Sequence, residues 1–249
     1  MNLGLDGRVA IVTGAGRGLG RAAALALASE GVLVLGVARS EDELASLQQV
    51  SPELISVVPC DMLDLDAVAA LPDLAVTKFG RIDIVVNNAG IAPAGAFMAQ
   101  DDAMWQAVFT VNVFAPVALS RAAGKYFLEQ GSGKVINIAS TSGILGKSML
   151  VSYSASKGAM IQMTKALASE WSPKGIQVNA IAPGAYETDA QSAVLESPDL
   201  LARRVRKIPA GRMGRAQEIG PLVCLLASSQ SDFISGSVLV TDGGESSKL

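Results

Sequence analysis

"RVAIVTGAGRGLGRAAALALASEG", residues 8–31, sets a short β-branched run, a glycine-rich turn and an alanine- and leucine-rich segment end to end. The first run is apolar at consecutive rather than alternate positions. That is the pattern of a strand buried on both faces, as in a parallel sheet covered by helices. The turn holds Gly14, Gly18 and Gly20 in the spacing G-x-x-x-G-x-G and leads into a helix expected to run to about Glu30. Glycines there let the backbone turn tightly and approach a pyrophosphate, whose charge is met by the helix N-terminus. A plain strand-to-helix turn needs one glycine, so three in register point to a nucleotide.

The same alternation recurs along the chain. "VLVLGVA" (32–38), "LISVVPC" (54–60), "IDIVVNN" (82–88), "KVINIAS" (134–140), "IQVNAIAPG" (176–184) and "SVLVTDGG" (237–244) are separated by longer helical segments. Seven strands and about six helices are expected, in an α/β, Rossmann-like doubly wound parallel sheet with helices on both faces. The 249 residues fit one dinucleotide-binding and catalytic domain, 1–249. Its least regular part, 184–212, is bracketed by Pro198 and Pro209 and reads as a lid-like substrate insertion.

Composition narrows the chemistry. The chain contains no histidine, which excludes Ser-His-Asp hydrolases, Cys-His proteases and histidine-ligated metal sites. Cys60 and Cys224 are too few and too far apart for the usual zinc spacings, so no metal is expected and both are read as buried free thiols. A net charge of −3 with no basic tail argues against a nucleic-acid partner. No apolar run approaches the roughly 20 residues that span a bilayer. "MNLGLDGRVAIVTG" lacks the basic-then-apolar pattern of a leader, so a cytoplasmic protein without a membrane partner is expected.

In a dinucleotide site for NAD, a carboxylate at the end of the second strand meets the ribose hydroxyls. Here that strand ends "GVARS", with Ala38 at the acidic position, Arg39 after it and Arg17 in the glycine loop. Two guanidiniums pair well with a 2′-phosphate, so NADP(H) is favoured over NAD(H). The alternative is that both arginines are ordinary solvated charges near Glu41 and Asp42.

"SYSASKGAM", residues 152–160, places Tyr153 and Lys157 at i,i+4 on a helix expected from Val151 to Ser172. A phenol with an unperturbed pKa of about 10 is a poor base, but a nearby ammonium favours the phenolate. Such a pair does general acid–base work without histidine. Alone, the spacing is equally that of a half-exposed helix face.

Together, "TGAGRGLG", "CDMLD", "NNAG", "VNVFAP", "INIASTSG", "YSASK", "IAPG", "SDFISG" and "TDGG" resemble the classical short-chain dehydrogenase/reductase family across nearly the whole chain. The resemblance implies a catalytic tetrad of Asn112, Ser140, Tyr153 and Lys157. In it Ser140 holds the substrate oxygen, Tyr153 gives or takes the proton, Lys157 holds the nicotinamide ribose and Asn112 anchors a water. It further implies cofactor contacts from Gly14, Arg17, Gly18, Leu19, Gly20, Arg39, Asp61, Met62, Asn87 or Asn88, Ala89, Gly90, Pro183, Gly184 and Thr188, besides Tyr153 and Lys157. Tyr186 departs from the family, which has a β-branched residue there.

The resemblance implies an oxidoreductase interconverting a secondary alcohol and a ketone, acting on a small carbonyl or alcohol substrate, and a homotetramer. The specific activities left open are a 3-oxoacyl-acyl-carrier-protein reductase and a sugar-acid or polyol dehydrogenase. A non-catalytic nucleotide-binding sensor or scaffold is the alternative of another class. "RRVRKIPAGRMGR" (203–215) carries six cations and no acid, and is either an attractor of anionic substrate or carrier or a solvated helix face.

Overall fold

The computed structural model describes residues 3–247. Seven strands form one sheet: β1 (Val9–Thr13), β2 (Leu33–Ala38), β3 (Ile55–Pro59), β4 (Ile84–Asn87), β5 (Gly133–Ile138), β6 (Ile176–Pro183) and, after the short β7 (Tyr186–Glu187) and β8 (Gly214–Arg215), β9 (Val238–Thr241). Their order is β3-β2-β1-β4-β5-β6-β9, with every pairing parallel. The expected α/β doubly wound sheet is therefore the fold.

Alternation of side chains along each strand divides the core in two. Ala10 and Val12 of β1, Val34 of β2 and Val86 of β4 face one apolar layer, packed by α1 (Gly18–Ser29) and, through Leu47, α2 (Glu41–Val50). Val9 and Ile11, Leu35 and Val37, and Val85 face the other, packed by α3 (Leu65–Phe79). Both faces are covered, which is why the strands read as continuous apolar runs. Ser40 and Asp64 cap α2 and α3 through hydrogen bonds of 3.3 Å and 3.0 Å from Glu43 N and Ala67 N. Cys60 and Cys224 are buried free thiols.

The helices number ten rather than about six among the described residues, for three local reasons. First, the segment between β4 and β5 is broken by a five-residue π-type turn, Thr110–Phe114, into α4 (Asp102–Phe109) and α5 (Ala115–Gln130). Second, the loop after β5 carries a single turn, α6 (Ser142–Leu145), before α7 (Val151–Trp171). Third, residues between β7 and β8 form α8 (Ser192–Leu195) and α9 (Pro198–Val205), ahead of α10 (Gly220–Ala227). This last excursion from the sheet builds its own small apolar cluster around Ala185, Ile208 and Met213.

The stretch Asp102–Gln130 is long and apolar enough to cross a bilayer by length and composition, contrary to the expectation that no run approaches that length. It is a core helix, in that Leu119, Ala123 and Phe127 of α5 are fully buried in the second apolar layer.

Strand order reverses between β1 and β4, so the crevice at their carboxyl ends is the place for a ligand. Two glycines fix the loop there. Gly14 stands at φ +65°, in the left-handed region. At Gly20 a Cβ would come within 2.1 Å of Gly14 O and 2.3 Å of Asn88 Nδ2. Gly20→Ala is therefore expected to lose about 1–3 kcal/mol through overpacking, whereas Gly95→Ala, where a Cβ meets nothing within 4 Å, should stay within about 0.5 kcal/mol. Chemical denaturation of the two variants checks this, and equal stability would count against the packing argument.

Candidate active site

Thr13 at the end of β1 clips the crevice together. Its Oγ1 accepts from Asn88 N and Ala89 N, both at 3.0 Å, while Asn88 Nδ2 donates to Thr13 O at 2.8 Å. The loop after β4 is thus tied to the glycine turn after β1. Above them opens a cleft of about 1310 Å³, rimmed by the loops that follow β1, β2, β3, β4, β5 and β6. That is larger than the roughly 300–1,000 Å³ of a usual small-molecule pocket, and gives room for a cofactor beside a substrate.

At the middle of the cleft stand Ser140, just past β5, and Tyr153 and Lys157 on α7. The Ser140 hydroxyl accepts from Ser142 N at 3.1 Å and stands beside the Tyr153 phenol, near enough to favour the phenolate as a donor. Burial pushes the phenol above its ordinary value, and Ser140 draws it part of the way back. The Lys157 ammonium, fully buried, donates to Ile138 O at 2.7 Å and lies 5.8 Å from the Tyr153 ring centroid. Burial lowers its pKa to about 8. The helix spacing led us to expect the ammonium to set the phenol. Instead the lysine turns to the carbonyl at the end of β5, and burial and Ser140 set it.

Asn112 lies in the π-type turn. Its Nδ2 donates to Ile91 O (3.0 Å) and Ser156 Oγ (2.9 Å), and its Oδ1 accepts from Ile91 N (2.9 Å). Ser156 Oγ in turn donates to Tyr153 O at 2.7 Å. A Cβ on Gly90 would stand 3.2 Å from Asn112 Oδ1 and 3.5 Å from Lys157 Nζ, so these three positions meet closely.

One end of the cleft is lined by Arg17, Ala38, Arg39, Glu43, Asp61 and Met62. Arg17 Nη1 lies 3.7 Å from Glu43 Oε1, and a Cβ on Gly16 would come within 2.6 Å of Glu43 Oε2. Arg39 is exposed and makes no ion pair among the described residues. Asp61 Oδ1 accepts from Leu63 N at 3.0 Å, closing its own turn at the cleft wall. The residues fit a dinucleotide: a cradle without Cβ atoms for the pyrophosphate, with Arg17 and Arg39 beside it.

The other end is walled by residues 184–191, by Lys147 before α7, by Arg204 and Lys207 at α9, and by Glu245 and Ser246. Tyr186 is buried, and β7 pairs it with Gly214, whose missing side chain leaves room for the phenol. The basic run does not act as one patch. Arg204 is paired with Glu245, and Arg212 and Arg215 with Glu218, so acids outside the run compensate it.

The family pattern described as Enoyl-(Acyl carrier protein) reductase matches residues 14–246. The chain belongs to the short-chain dehydrogenase/reductase family. It is an oxidoreductase acting on CH–OH groups. Among relatives, the 2-dehydro-3-deoxy-D-gluconate 5-dehydrogenase of Bacillus subtilis is 38% identical, over 96% of this chain and 95% of that protein. The 3-oxoacyl-(acyl-carrier-protein) reductase FabG of Escherichia coli is 35% identical, over 97% and 98%. Among solved structures, a gluconate 5-dehydrogenase from Burkholderia cenocepacia in complex with NADP and tartrate superposes with a TM-score of 0.92 at 33% identity, over 98% and 97% of the two chains.

Set against the short-chain dehydrogenase/reductase pattern, Gly14, Arg17, Gly18, Leu19, Arg39, Asp61, Met62, Asn88, Ala89, Gly90, Ser140, Tyr153, Lys157, Pro183, Gly184 and Thr188 all line the cleft. Gly20 and Asn112 do not. Gly20 packs beneath the turn and Asn112 braces the wall from behind. Asn87 is turned into the core, donating to Asn137 Oδ1 at 2.8 Å and Ser120 Oγ at 3.1 Å, because neighbours on a strand face opposite ways. Sequence reasoning missed Glu43, Ser156, Lys147 and Glu245. The only signal for Lys147 was its place in a pocket loop.

The lysine makes a stability prediction. Its folded pKa of about 8 lies below the unfolded 10.5. The burial cost is thus fully present below pH 8 and is relieved as the folded state sheds its proton first, between 8 and 10.5. Relative to Lys157→Met, the parent protein should gain up to about 3 kcal/mol across that window. Urea denaturation at pH 7 and pH 10 measures it, and a constant difference between the two proteins would contradict the assignment.

Proposed function

We propose that the chain is an NADP(H)-dependent oxidoreductase interconverting a secondary alcohol and a ketone, with Tyr153 as general acid and base. The observation carrying this reading is the meeting of Ser140, Tyr153 and the buried Lys157 in a cleft whose far end is the glycine cradle. When bound, the dinucleotide supplies or accepts the hydride. Ser140 holds the substrate oxygen, and Tyr153 Oη gives that oxygen a proton in reduction or takes one in oxidation. With the phenol held above its ordinary value, Tyr153 is protonated at neutral pH and suited to donate. Lys157 has spent one of its three N–H donors on Ile138 O and has two for a ribose. Asn112 acts as a positioning residue, since it holds residue 91 and, through Ser156, the backbone of Tyr153.

The preference for NADP(H) rests on Ala38 at the position where an NAD site has a carboxylate, with Arg39 next to it and Arg17 in the glycine loop. Glu43 engages Arg17, leaving Arg39 as the unpaired cation for a 2′-phosphate. The segment 184–212 serves as a lid over the substrate end. The protein is read as cytoplasmic, and a homotetramer is in keeping with the apolar side chains that remain exposed, Phe114 at the end of the π-type turn, Leu128 on α5 and Val240 on the edge strand β9.

Tyr153→Phe should lower turnover by about 10²–10⁴ while NADPH binding, followed by fluorescence, persists; unimpaired turnover would reject the mechanism. In Ser140→Ala the hydroxyl that lowers the phenol's pKa is gone, so the ascending limb of the pH–rate profile for alcohol oxidation should move to higher pH. Arg39→Ala should cut kcat/KM for NADPH about 10-fold, the size of one charge-assisted bond, and leave NADH within a factor of about two. A wild-type preference for NADH would refute the cofactor reading.

A further inference from the structure

Three cations reach the substrate end of the cleft from separate parts of the chain. Lys147 comes from the loop between α6 and α7, and Arg204 and Lys207 come from α9 and the turn after it. The acids that the lid segment and the C-terminal tail bring to the same cleft are Asp189 and Glu245. Glu245 is consumed by Arg204, which grips it with both terminal nitrogens. Neither Lys147 nor Lys207 has an ion-pair partner among the described residues. At Lys147, desolvation and then the repulsion of Arg204 lower the pKa, with the attraction of Glu245 ranking third and the repulsion of Lys207 last. The field at that ammonium therefore stays positive.

The backbone fixes Lys147 in place. Its N–H donates to Ser154 Oγ at 3.1 Å, one residue beyond Tyr153 on α7. Its carbonyl accepts from Leu150 N at 3.2 Å, closing a four-residue turn. The third residue of that turn, Met149, is at φ +65°, the one non-glycine residue with positive φ among the described residues. Met149 O in turn accepts from Gly95 N at 2.9 Å, joining the turn to the loop after β4. Backbone held in the left-handed region at a cleft rim is sustained by its surroundings and concentrates at functional sites. The strain here points a cation into the cleft from a turn tied to the first turn of the helix that bears Tyr153.

We infer that Lys147, with Lys207 and the Arg204–Glu245 pair behind it, is an anion subsite that receives the carboxylate of a small keto or hydroxy acid whose carbonyl or hydroxyl carbon lies at Tyr153. This rests on the oxidoreductase reading and names its substrate class. A small acid is favoured over an acidic carrier protein because the exposed Arg212 and Arg215 are already held by Glu218. Lys147 and Lys207, which have no ion-pair partner among the described residues, line the cleft itself. An ammonium suits the task as a compact charge on a flexible stem, able to follow a carboxylate through different chain lengths. Arg204, fixed by Glu245, contributes field rather than a direct grip.

The test compares Lys147→Met, Lys147→Arg and Lys207→Met with the parent protein in NADPH-dependent reduction of 5-keto-D-gluconate and of D-fructose, a six-carbon ketose without a carboxylate. A 3-oxoacyl thioester on acyl carrier protein is the third substrate. The parent should prefer the keto acid. Lys147→Met should lower its kcat/KM about 10- to 100-fold, chiefly through KM, leave D-fructose within about 2-fold, and Lys147→Arg should recover most of the loss. Calorimetric binding of tartrate to the NADP-loaded protein gives a second readout that needs no turnover, and Lys147→Met should weaken it by the same factor.

Equal losses on charged and neutral ketones, or preference for the carrier thioester with no effect of Lys147, would overturn the subsite while leaving the oxidoreductase reading intact. Lys147-dependent binding of tartrate in a protein that reduces no ketone would uphold the subsite and remove the redox reading.

Discussion

A lysine ammonium is buried at the carboxyl end of a parallel strand, and much of the site is arranged around it. Lys157 Nζ reaches Ile138 O and is cut off from solvent. Removing an ammonium from water costs several kcal/mol unless polar partners surround it, and this chain supplies them through backbone geometry. Gly90 and Gly143 make the room. A Cβ at Gly143 would come within 2.6 Å of the Lys157 carbonyl carbon, so α6 can lie against α7 only without one. The π-type turn at Thr110–Phe114 brings the Asn112 amide into the interior, where it braces residue 91 and Ser156, the neighbour of Lys157. Such extra-residue turns in helices occur often at functional sites, where they redirect one side chain. One charge therefore couples the ends of β4 and β5, the break between α4 and α5, and the seating of α7.

The sheet was legible because its physics is local. Strands covered on both faces must be apolar at consecutive positions, and each of the seven runs read from the sequence contains a strand of the sheet. The π-type turn was not legible, since "VNVFAP" is as good a helix as its flanks and only the tertiary placement of Asn112 demands the extra residue. The side to which Asn87 points was readable in principle from the period of two, but the resemblance offered Asn87 and Asn88 together and could not choose. Glu43 escaped notice for a different reason. The Ser40 cap places it in the first turn of α2, and the helix start folds its carboxylate back to Gly16 and Arg17. Pairings at long range, Arg204 with Glu245 above all, leave no mark in either segment.

The same long-range pairing changes the meaning of the basic run. Read along the chain, 203–215 has six cations and no acid. In three dimensions Glu245 pairs with Arg204 on α9, and Glu218 with Arg212 and Arg215. Arg204 and Glu245 are both largely shielded from solvent, so their pair is less screened than a surface one and joins the lid segment to the C-terminal tail. The tail has its own anchor, Asp242, whose carboxylate accepts from Gly244 N at 2.9 Å and Ser246 N at 2.7 Å and is held below its ordinary pKa by those bonds. The segment 184–212 is thus held on one side by the pairing of β7 with β8 and on the other by an ion pair.

A chain of net charge −3 places unpaired cations at both ends of one cleft, Arg39 at the glycine end and Lys147 and Lys207 at the other. Between them stand Ser140 and Tyr153, uncharged in their resting forms. Low-dielectric walls focus such fields, so anionic groups are drawn to the two ends and a neutral carbon is left in the middle. A ligand with charge at one terminus is oriented as well as attracted, because its anionic end is stabilised in only one direction along the cleft. Under the proposed function, orientation of this kind would hold a reacting carbon against Tyr153 without any contact to the carbon itself, which is how remote binding is converted into positioning.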